Sequence, residues 1–147
     1  MPYLKFWVHL IWTTKDRHPY LKKEIRLMVF KHILENARKK GIHLDFINGY
    51  TEHVHTLLSL KATQSIAEVT QALKGESSHW INEQKLIGVK FGWQDEYIAV
   101  SISDSVVNRV REYIRNQEEH HRTKSFAEEY QWFIEKYGLT KDNSTRG

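Results

Sequence analysis

The sequence contains no cysteine, only two prolines in 147 residues, and no long hydrophobic run. Without thiols the chain can form neither a disulfide framework nor a thiolate zinc site, an iron–sulfur centre or a cysteine nucleophile. Any metal must therefore bind to histidine, carboxylate or amide side chains. No window reaches the roughly 20 apolar residues of a membrane span, and the amino terminus lacks the pattern of a secretory signal. We therefore expect a cytoplasmic protein with no membrane partner.

The composition indicates one soluble globular domain with a small excess of basic residues. A chain of this length usually closes a single core, and 40% hydrophobic with 27% charged residues excludes a disordered chain. Lysine and arginine total 22 against 18 acidic residues, and nine histidines can add positive charge near a polyanion. This balance permits nucleic-acid binding without requiring it. We expect one domain over residues 1–140 and a flexible tail over 141–147.

Apolar periodicity predicts alternating strands and helices along most of the chain. Asn48-Gly49 is a strong turn signal that joins two strands into a hairpin. Ser65 with Glu68 resembles a capping box at the start of a helix. The predicted elements are a strand over 3–14, a helix over 22–40, strands over 42–50 and 53–60, a helix from 65, and a strand over 97–103. The helix from 65 is expected to stop or bend near Gly75, and residues 77–85 could continue it by another turn or two.

This β-α-β-β-α-β order predicts an α+β protein of the ferredoxin-like (RRM-like) class. Its antiparallel sheet presents one face to helices and keeps the other for a site. Two further helices follow the last strand. One begins at Ser103 or Asp104 and carries Tyr113, and the other runs from about Ser125 to Tyr137.

The segment His53-Val54-His55 is the sharpest candidate for a metal site. In a strand, residues two apart project from the same face with α-carbons about 6.6 Å apart, so both imidazoles can converge on one ion. Val54 then packs on the opposite face. We expect this site to be half exposed on the sheet. By itself, such a histidine pair is equally compatible with a polar surface.

Tyr113 and Gln117 lie four residues apart on a predicted helix and therefore share a face. An ion or a phosphate against that face could contact both. Because the reference pKa of tyrosine is about 10, its hydroxyl needs a metal-bound acceptor, a desolvated site or proton removal to act as a nucleophile. The alternative is a core tyrosine whose hydroxyl reaches water.

The histidine pair on a strand, followed further along the chain by Tyr113-Ile114-Arg115-Asn116-Gln117 on a helix, forms a combined pattern. This pattern resembles the single-tyrosine HUH transposases of small bacterial insertion sequences, the TnpA type, together with their REP-associated relatives. The resemblance covers nearly the whole chain and makes residues 1–140 a single transposase domain. Further matching segments are residues 11–15, Glu52, 73–75, 93–97 and His120-His121.

The resemblance implies a role for each motif residue. His53 and His55 match two metal ligands, Gln117 matches the third, and Tyr113 matches the nucleophile that forms a 5′-phosphotyrosine during cleavage and rejoining of single-stranded DNA. The family uses Mg²⁺ or Mn²⁺, and two imidazoles favour Mn²⁺ while the amide oxygen suits either ion. The implied partners are single-stranded DNA hairpins at element ends and a second copy of the chain. In such a homodimer, Tyr113 serves the histidine pair of its own or of the other subunit.

Several other side chains are candidates for contact with DNA. Exposed tryptophans, Trp12 or Trp80, could stack on unpaired bases. Acidic residues, Glu129 among them, are expected on a solvated face, and His120 and His121 at a polar helix end. The basic residues that we expect to contact phosphates are Lys39, Lys40, Lys74 and Arg122.

Two alternative functions stay open at this point. The first is a domesticated single-stranded nucleic-acid-binding protein that keeps the motifs but does not cleave. The second is a nucleotide hydrolase of the histidine-triad kind, which would need further alternating histidines where this chain has Leu57.

Overall fold

The computed structural model describes residues 1–141 as one antiparallel sheet packed between two groups of helices. Residues 142–147, nearly all of the expected tail, lie outside the described residues. No helix within residues 1–141 is long and apolar enough to cross a bilayer. The elements are β1 (Trp7–Thr14), α1 (Lys23–Lys39), β2 (His43–Gly49), β3 (His53–Ser59), α2 (Ile66–Glu83), β4 (Trp93–Ile102), α3 (Val107–Arg115), α4 (Gln117–His120) and α5 (Phe126–Tyr137).

The strand order β2-β3-β1-β4, with antiparallel pairing throughout, confirms the predicted ferredoxin-like topology. The β2–β3 hairpin turns tightly after Gly49, where a Cβ would collide with the carbonyl oxygen of His53. β3 therefore lies between β2 and β1, at the centre of the sheet. In this register His55 lies opposite Ile11, and His53 lies opposite Thr13.

One face of the sheet packs on α1 and α2 and forms the larger apolar core. Leu10 and Trp12 of β1 and Val54 and Leu58 of β3 are buried in it. They alternate along their strands with residues of the other face, as the period-two geometry of a strand requires. Val54 therefore packs away from the two histidines, as expected.

The other face is covered by α3 and α5. Ile11, Ile98 and Val100 of the sheet pack there against Phe126 and Phe133 of α5. The sequence predicts an open face for a site at this position. The structure shows a second buried layer instead, because the carboxyl-terminal helices present their apolar stripes to the same face.

Several element boundaries differ from the sequence-based prediction. β4 begins at Trp93, four residues before the predicted strand, and α3 begins at Val107 instead of Ser103 or Asp104. α2 runs through Gly75 without a break. Glycine costs a helix interior about 1 kcal/mol relative to alanine, and the buried stripe that includes Leu73, Ser77 and Ile81 holds the helix together on both sides. β1 begins only at Trp7. Residues 1–6, including Tyr3, are exposed and lie outside the sheet.

The predicted continuous helix through Tyr113 and Gln117 is divided into α3 and α4. The side-chain amide of Asn48 donates hydrogen bonds of 3.0 Å to the carbonyl oxygens of Ile114 and Arg115. These carbonyls are among those that a helix leaves unpaired at its carboxyl end. Asn48 therefore ends α3, and Gln117 begins a separate short helix.

Candidate metal and tyrosine site

His53 and His55 lie on β3 with no exposed surface, which corrects the expectation of a half-exposed site. Their rings point into the layer between the sheet and α5, where the ring of His53 stacks on Phe126 with centroids 4.3 Å apart. Nδ1 of His53 lies 2.6 Å from a carboxylate oxygen of Glu52. A histidine that donates Nδ1–H to a carboxylate presents Nε2 as a metal ligand, and the partner fixes the ring orientation.

Gln117 and Tyr113 reach the same point from α4 and α3. The amide oxygen Oε1 of Gln117 lies 3.0 Å from Nε2 of His53, and Gln117 is fully buried. The rings of Tyr113 and His55 have centroids 5.7 Å apart. The structure therefore brings together all four residues of the two sequence motifs within one chain.

Glu129 occupies the centre of the cluster, although acidic residues were expected on a solvated face. That expectation is wrong for Glu129, which has no exposed surface. Its Oε1 lies 3.2 Å from Nε2 of His55 and 3.5 Å from Nε2 of His53, and its Oε2 accepts the hydroxyl hydrogen bond of Tyr113. Helical spacing could have found it, because Glu129 lies three residues after Phe126, on the apolar stripe of α5.

His121 also belongs to the cluster rather than to a polar helix end. Its Nε2 lies 3.1 Å from Oε1 of Gln117 and 3.3 Å from Oε1 of Glu129. Its Nδ1 lies 2.7 Å from the carbonyl oxygen of Lys124. His120 is more peripheral, since its Nε2 approaches only Oε2 of Glu129, at 3.5 Å.

Burial and charge shift the pKa values of these groups in opposite directions. Burial lowers the pKa of His55 to about 4 and raises the pKa of Tyr113 far above its ordinary value, with a further rise from the charge of Glu129. Burial alone would raise the pKa of the Glu129 carboxyl, but hydrogen bonds from His121 and His55 hold it well below its usual range. The free site therefore contains a carboxylate and a protonated tyrosine.

His9 is a buried member of the site that the sequence motifs did not reveal. Its Nε2 lies 2.8 Å from Nδ1 of His55, and burial keeps the pKa of His9 well below its ordinary value. Neutral His55 has a single ring proton, which it can donate from Nε2 to Glu129 or from Nδ1 to Nε2 of His9. The second tautomer frees the lone pair of Nε2 for a metal ion. Its position on β1, two residues before Ile11, places it on the same sheet face and could have indicated it.

The basic candidates for DNA contact fall into two groups. Lys39 and Lys40 are exposed at the end of α1, and Arg122 is exposed and forms an ion pair of 3.2 Å with Glu119. Lys74 departs from the expectation of a surface contact, because its side chain is buried and its ammonium donates to the carbonyl oxygen of Asp95. The packing of α2 against the start of β4 accounts for that position.

The two tryptophans considered for base stacking are also not free at the surface. Trp12 is buried in the core against Trp93, with ring centroids 5.8 Å apart. Trp80 is half-buried and stacks on His32 with centroids 3.9 Å apart. Trp12 therefore has the core position that is the more common one for a tryptophan, because the β1 face to which it belongs is the one that α1 and α2 cover.

Comparisons with known proteins agree on one family. The chain is 29% identical over 115 residues to the ISDra2 transposase TnpA of Deinococcus radiodurans. The aligned residues cover 74% of this chain and 81% of that protein. A crystal structure of a protein from D. radiodurans R1 assigned as a transposase superposes with a TM-score of 0.63 at 26% identity, covering 79% of this chain and 93% of the other.

A second solved structure supports the fold at lower identity. It is a REP-associated tyrosine transposase bound to a REP hairpin, with a TM-score of 0.62 and 17% identity, covering 82% of this chain and 72% of that one. The family model described as IS200-like transposase matches residues 3–117, which include the histidine pair, Tyr113 and Gln117. Because this match spans most of the chain, the protein belongs to the IS200-like transposase family.

Proposed function

We propose that this transposase cleaves and rejoins single-stranded DNA in a metal-dependent reaction, with Tyr113 as the nucleophile and a 5′-phosphotyrosine as the intermediate. Membership of the family makes the chain an enzyme of DNA cleavage and transfer. The observation that carries the finer proposal is the meeting of Tyr113 with His53, His55 and Gln117 around one buried carboxylate. Among residues 1–141, Tyr113 is the only tyrosine whose hydroxyl donates a hydrogen bond to Glu129.

The donor atoms of the cluster fit a divalent ion. His53 and His55 present nitrogen, Gln117 presents an amide oxygen, and Glu129 adds a carboxylate. Such an ion, Mg²⁺ or Mn²⁺, would supply polarisation of the scissile phosphate and neutralise charge on its oxygens. Glu52 and His9 orient the two imidazoles from behind, at 2.6 and 2.8 Å.

Tyr113 carries the covalent step in this proposal. Its hydroxyl oxygen attacks phosphorus, a phosphorus–tyrosine oxygen bond forms, and the bond to the 3′-oxygen breaks, so that a 3′-hydroxyl leaves. The raised pKa of Tyr113 means that its proton leaves only as the new bond forms, and the proton ends on the departing 3′-oxygen. The carboxylate of Glu129, a weak base because its pKa is lowered, accepts the hydroxyl hydrogen bond of Tyr113 and orients the attacking oxygen. The phosphotyrosine retains the ester bond, so the 3′-hydroxyl of another strand can reverse the reaction and join.

The DNA partner in this proposal is a single-stranded hairpin at an element end. The REP-associated relative is described as bound to a REP hairpin, which supports this substrate class. Lys39 and Lys40 extend from the exposed end of α1, and Arg122 follows the cluster in the chain. We assign phosphate contacts to these three side chains and withdraw Lys74, whose ammonium is engaged inside the protein.

A homodimer is part of the same proposal, because exchanging strands between two ends requires two cleavage sites to be held together. In the structure Tyr113 lies against the histidine pair of its own chain. A single chain thus contains a complete set of site residues. Sharing of the site between subunits would require α3 to leave the position described here.

The test is formation of a covalent adduct. We expect wild-type protein incubated with hairpin-bearing single-stranded DNA and Mn²⁺ to yield an SDS-resistant complex, and Tyr113→Phe to yield none. Tyr3→Phe, at a fully exposed position, is the matched control and should behave as wild type. A mixture of Tyr113→Phe and His53→Ala chains regains adduct only if subunits share sites. Adduct formation by Tyr113→Phe alone would contradict the assignment of the nucleophile.

The full burial of His53 and His55 favours a second candidate, a domesticated protein that binds single-stranded nucleic acid without cleaving it. A phosphate can reach these side chains only if α4 or α5 moves. The same assay separates the two functions: hairpin binding without an adduct, for every divalent ion tried, would support the non-cleaving protein.

A further inference from the structure

We infer that His121 and Glu129 are metal ligands, so that five side chains bind one first-row transition-metal ion and not Mg²⁺. The other three ligands are His53, His55 and Gln117. This inference rests on the proposed function, because it specifies the ion and the ligands of the same site. It adds the histidine after α4 and the carboxylate of α5 to the set that the sequence motifs indicate.

The distances between the donor atoms support a single coordination shell. Nε2 of His121 lies 3.1 Å from Oε1 of Gln117 and 3.3 Å from Oε1 of Glu129. Nε2 of His53 lies 3.0 and 3.5 Å from the same two oxygens, and Nε2 of His55 lies 3.2 Å from Oε1 of Glu129. Ligands at about 2.1 Å from one ion lie about 3.0 Å apart at right angles in an octahedron. Each of the five atoms therefore lies at the spacing of neighbouring ligands from at least one of the other four.

The ring of His121 is held in the orientation that a ligand needs. Its Nδ1 lies 2.7 Å from the carbonyl oxygen of Lys124, which can only accept. The proton of neutral His121 is therefore on Nδ1, and the lone pair of Nε2 faces the cluster. Tyr50 stacks on the ring with centroids 5.3 Å apart, and the guanidinium of Arg26 lies 5.2 Å from the centre of the Tyr50 ring. These contacts fix the ring plane.

His120 does not belong to this ligand set. Its Nε2 lies 3.5 Å from Oε2 of Glu129, the oxygen that also accepts from Tyr113. The Nε2 atoms of His53, His55 and His121 instead lie within 3.5 Å of Oε1. Oε2 therefore stays available to Tyr113 while Oε1 binds the ion.

The chemistry of the five donors selects the class of ion. Three imidazole nitrogens, one carboxylate and one amide oxygen suit Mn²⁺, Fe²⁺, Co²⁺ or Zn²⁺, whereas Mg²⁺ prefers oxygen ligands and several waters. In a six-coordinate ion five protein ligands leave one position. That position suits a single phosphate oxygen.

The experiment titrates the full chain with Co²⁺, whose visible absorption reports the coordinating atoms. We expect one Co²⁺ per chain, and roughly tenfold or greater loss of affinity with a changed spectrum for His121→Ala and for Glu129→Gln. His79→Ala, an exposed histidine paired with Glu83, is the control and should leave both unchanged. A large excess of Mg²⁺ should not displace the Co²⁺.

Two results would overturn the inference. One is a wild-type spectrum and affinity for His121→Ala, and the other is displacement of Co²⁺ by a comparable concentration of Mg²⁺. If His121→Ala fails to fold by circular dichroism, X-ray absorption of the Co²⁺-loaded wild type counts the coordinated imidazoles. Three coordinated imidazoles support the inference, and two refute it. The proposed function is judged separately by the Tyr113-dependent adduct, which does not depend on the number of ligands.

Discussion

The two faces of the sheet use alternate residues of the same strands for different purposes. On one face Leu10 and Val54 pack with α1 and α2 into an apolar core. On the other, His53 and His55 lie in a layer that is equally buried but rich in polar groups. Apolar packing tolerates many combinations of side chains, whereas a buried polar cluster requires a partner for each group. The first face should therefore determine stability and the second should determine activity.

The largest effect is expected on the polar face. His53→Ala should abolish metal-dependent cleavage, because it removes a ligand and leaves Glu52 without the imidazole that lies 2.6 Å from it. The variant should remain folded but lose stability, because the side chain is fully buried and its removal takes away the contact between Nε2 of His53 and Gln117. Adduct formation and thermal unfolding, measured on the same preparation, check both statements. Cleavage at the wild-type rate would remove His53 from the ligand set.

A truncation on the apolar face should have the converse effect. Leu10→Ala creates a cavity between β1 and α1, at a position with no exposed surface, and should cost about 2–5 kcal/mol of unfolding free energy. Urea denaturation measures this loss, and cleavage per folded molecule should stay near wild type. Leu27→Ala, at a position 58% exposed, is the control and should change stability by less than about 0.5 kcal/mol. A large loss of specific activity in folded Leu10→Ala would break the division between the faces.

The smallest effect is the dependence of stability on pH in the metal-free protein. The pKa of His55 is lowered to about 4, so the unfolded chain binds a proton first as pH falls below about 6.5. Stability should therefore decrease between about pH 6.5 and 4, by up to about 3 kcal/mol. The melting temperature from pH 7 to pH 4 measures this, and His55→Gln should flatten the change. A melting temperature that rises over this range would contradict the sign.

His121 and Glu129 contribute in other pH ranges. The pKa of His121 is raised, mainly by Glu129 against the effect of burial, so its contribution is present below about pH 6.5 and is lost as pH rises through the folded pKa. The pKa of Glu129 is lowered, so its contribution is present above about pH 4.5 and is lost at lower pH. We therefore expect the metal-free protein to be most stable near neutral pH.

The apolar face is the part of the fold that the sequence predicts well. The four-residue steps of α1, the β2–β3 hairpin and the alternation around Val54 follow from local geometry, and the structure confirms the resulting strand order. The turn of the hairpin comes at residues 50–52, just after the predicted Asn48-Gly49, which lies within β2. The sequence left open whether α2 stops at Gly75 or continues, and it continues because packing along the whole helix outweighs the cost of one glycine. The local sequence around Gly75 does not show whether packing elsewhere on the helix offsets the cost of the glycine.

The polar face is predictable only in part. The two motifs contain His53, His55, Tyr113 and Gln117, and the structure places these residues together. Glu129 could not be identified by its residue type, because most glutamates are solvated and only its position on an apolar helix stripe sets it apart. The burial of His9 and the positions of His120 and His121 beside Glu129 could likewise not be predicted from residue type. Which charged side chain is buried depends on the docking of α5, which is a tertiary event.

Three side chains of the edge strand β2 contact α3, the helix that carries Tyr113. Asp45 binds Arg111 through two hydrogen bonds of 2.7 and 3.0 Å, the ring of Phe46 lies 5.4 Å from the guanidinium of Arg115, and Asn48 bonds the last carbonyls of α3. An edge strand held only by its neighbour would fray independently of the rest of the sheet. Because of these contacts we expect β2 and α3 to open and close as one cooperative unit, with backbone amides that exchange with solvent hydrogen at similar rates. Positioning of Tyr113 thus depends on the folding of a strand more than sixty residues earlier in the chain.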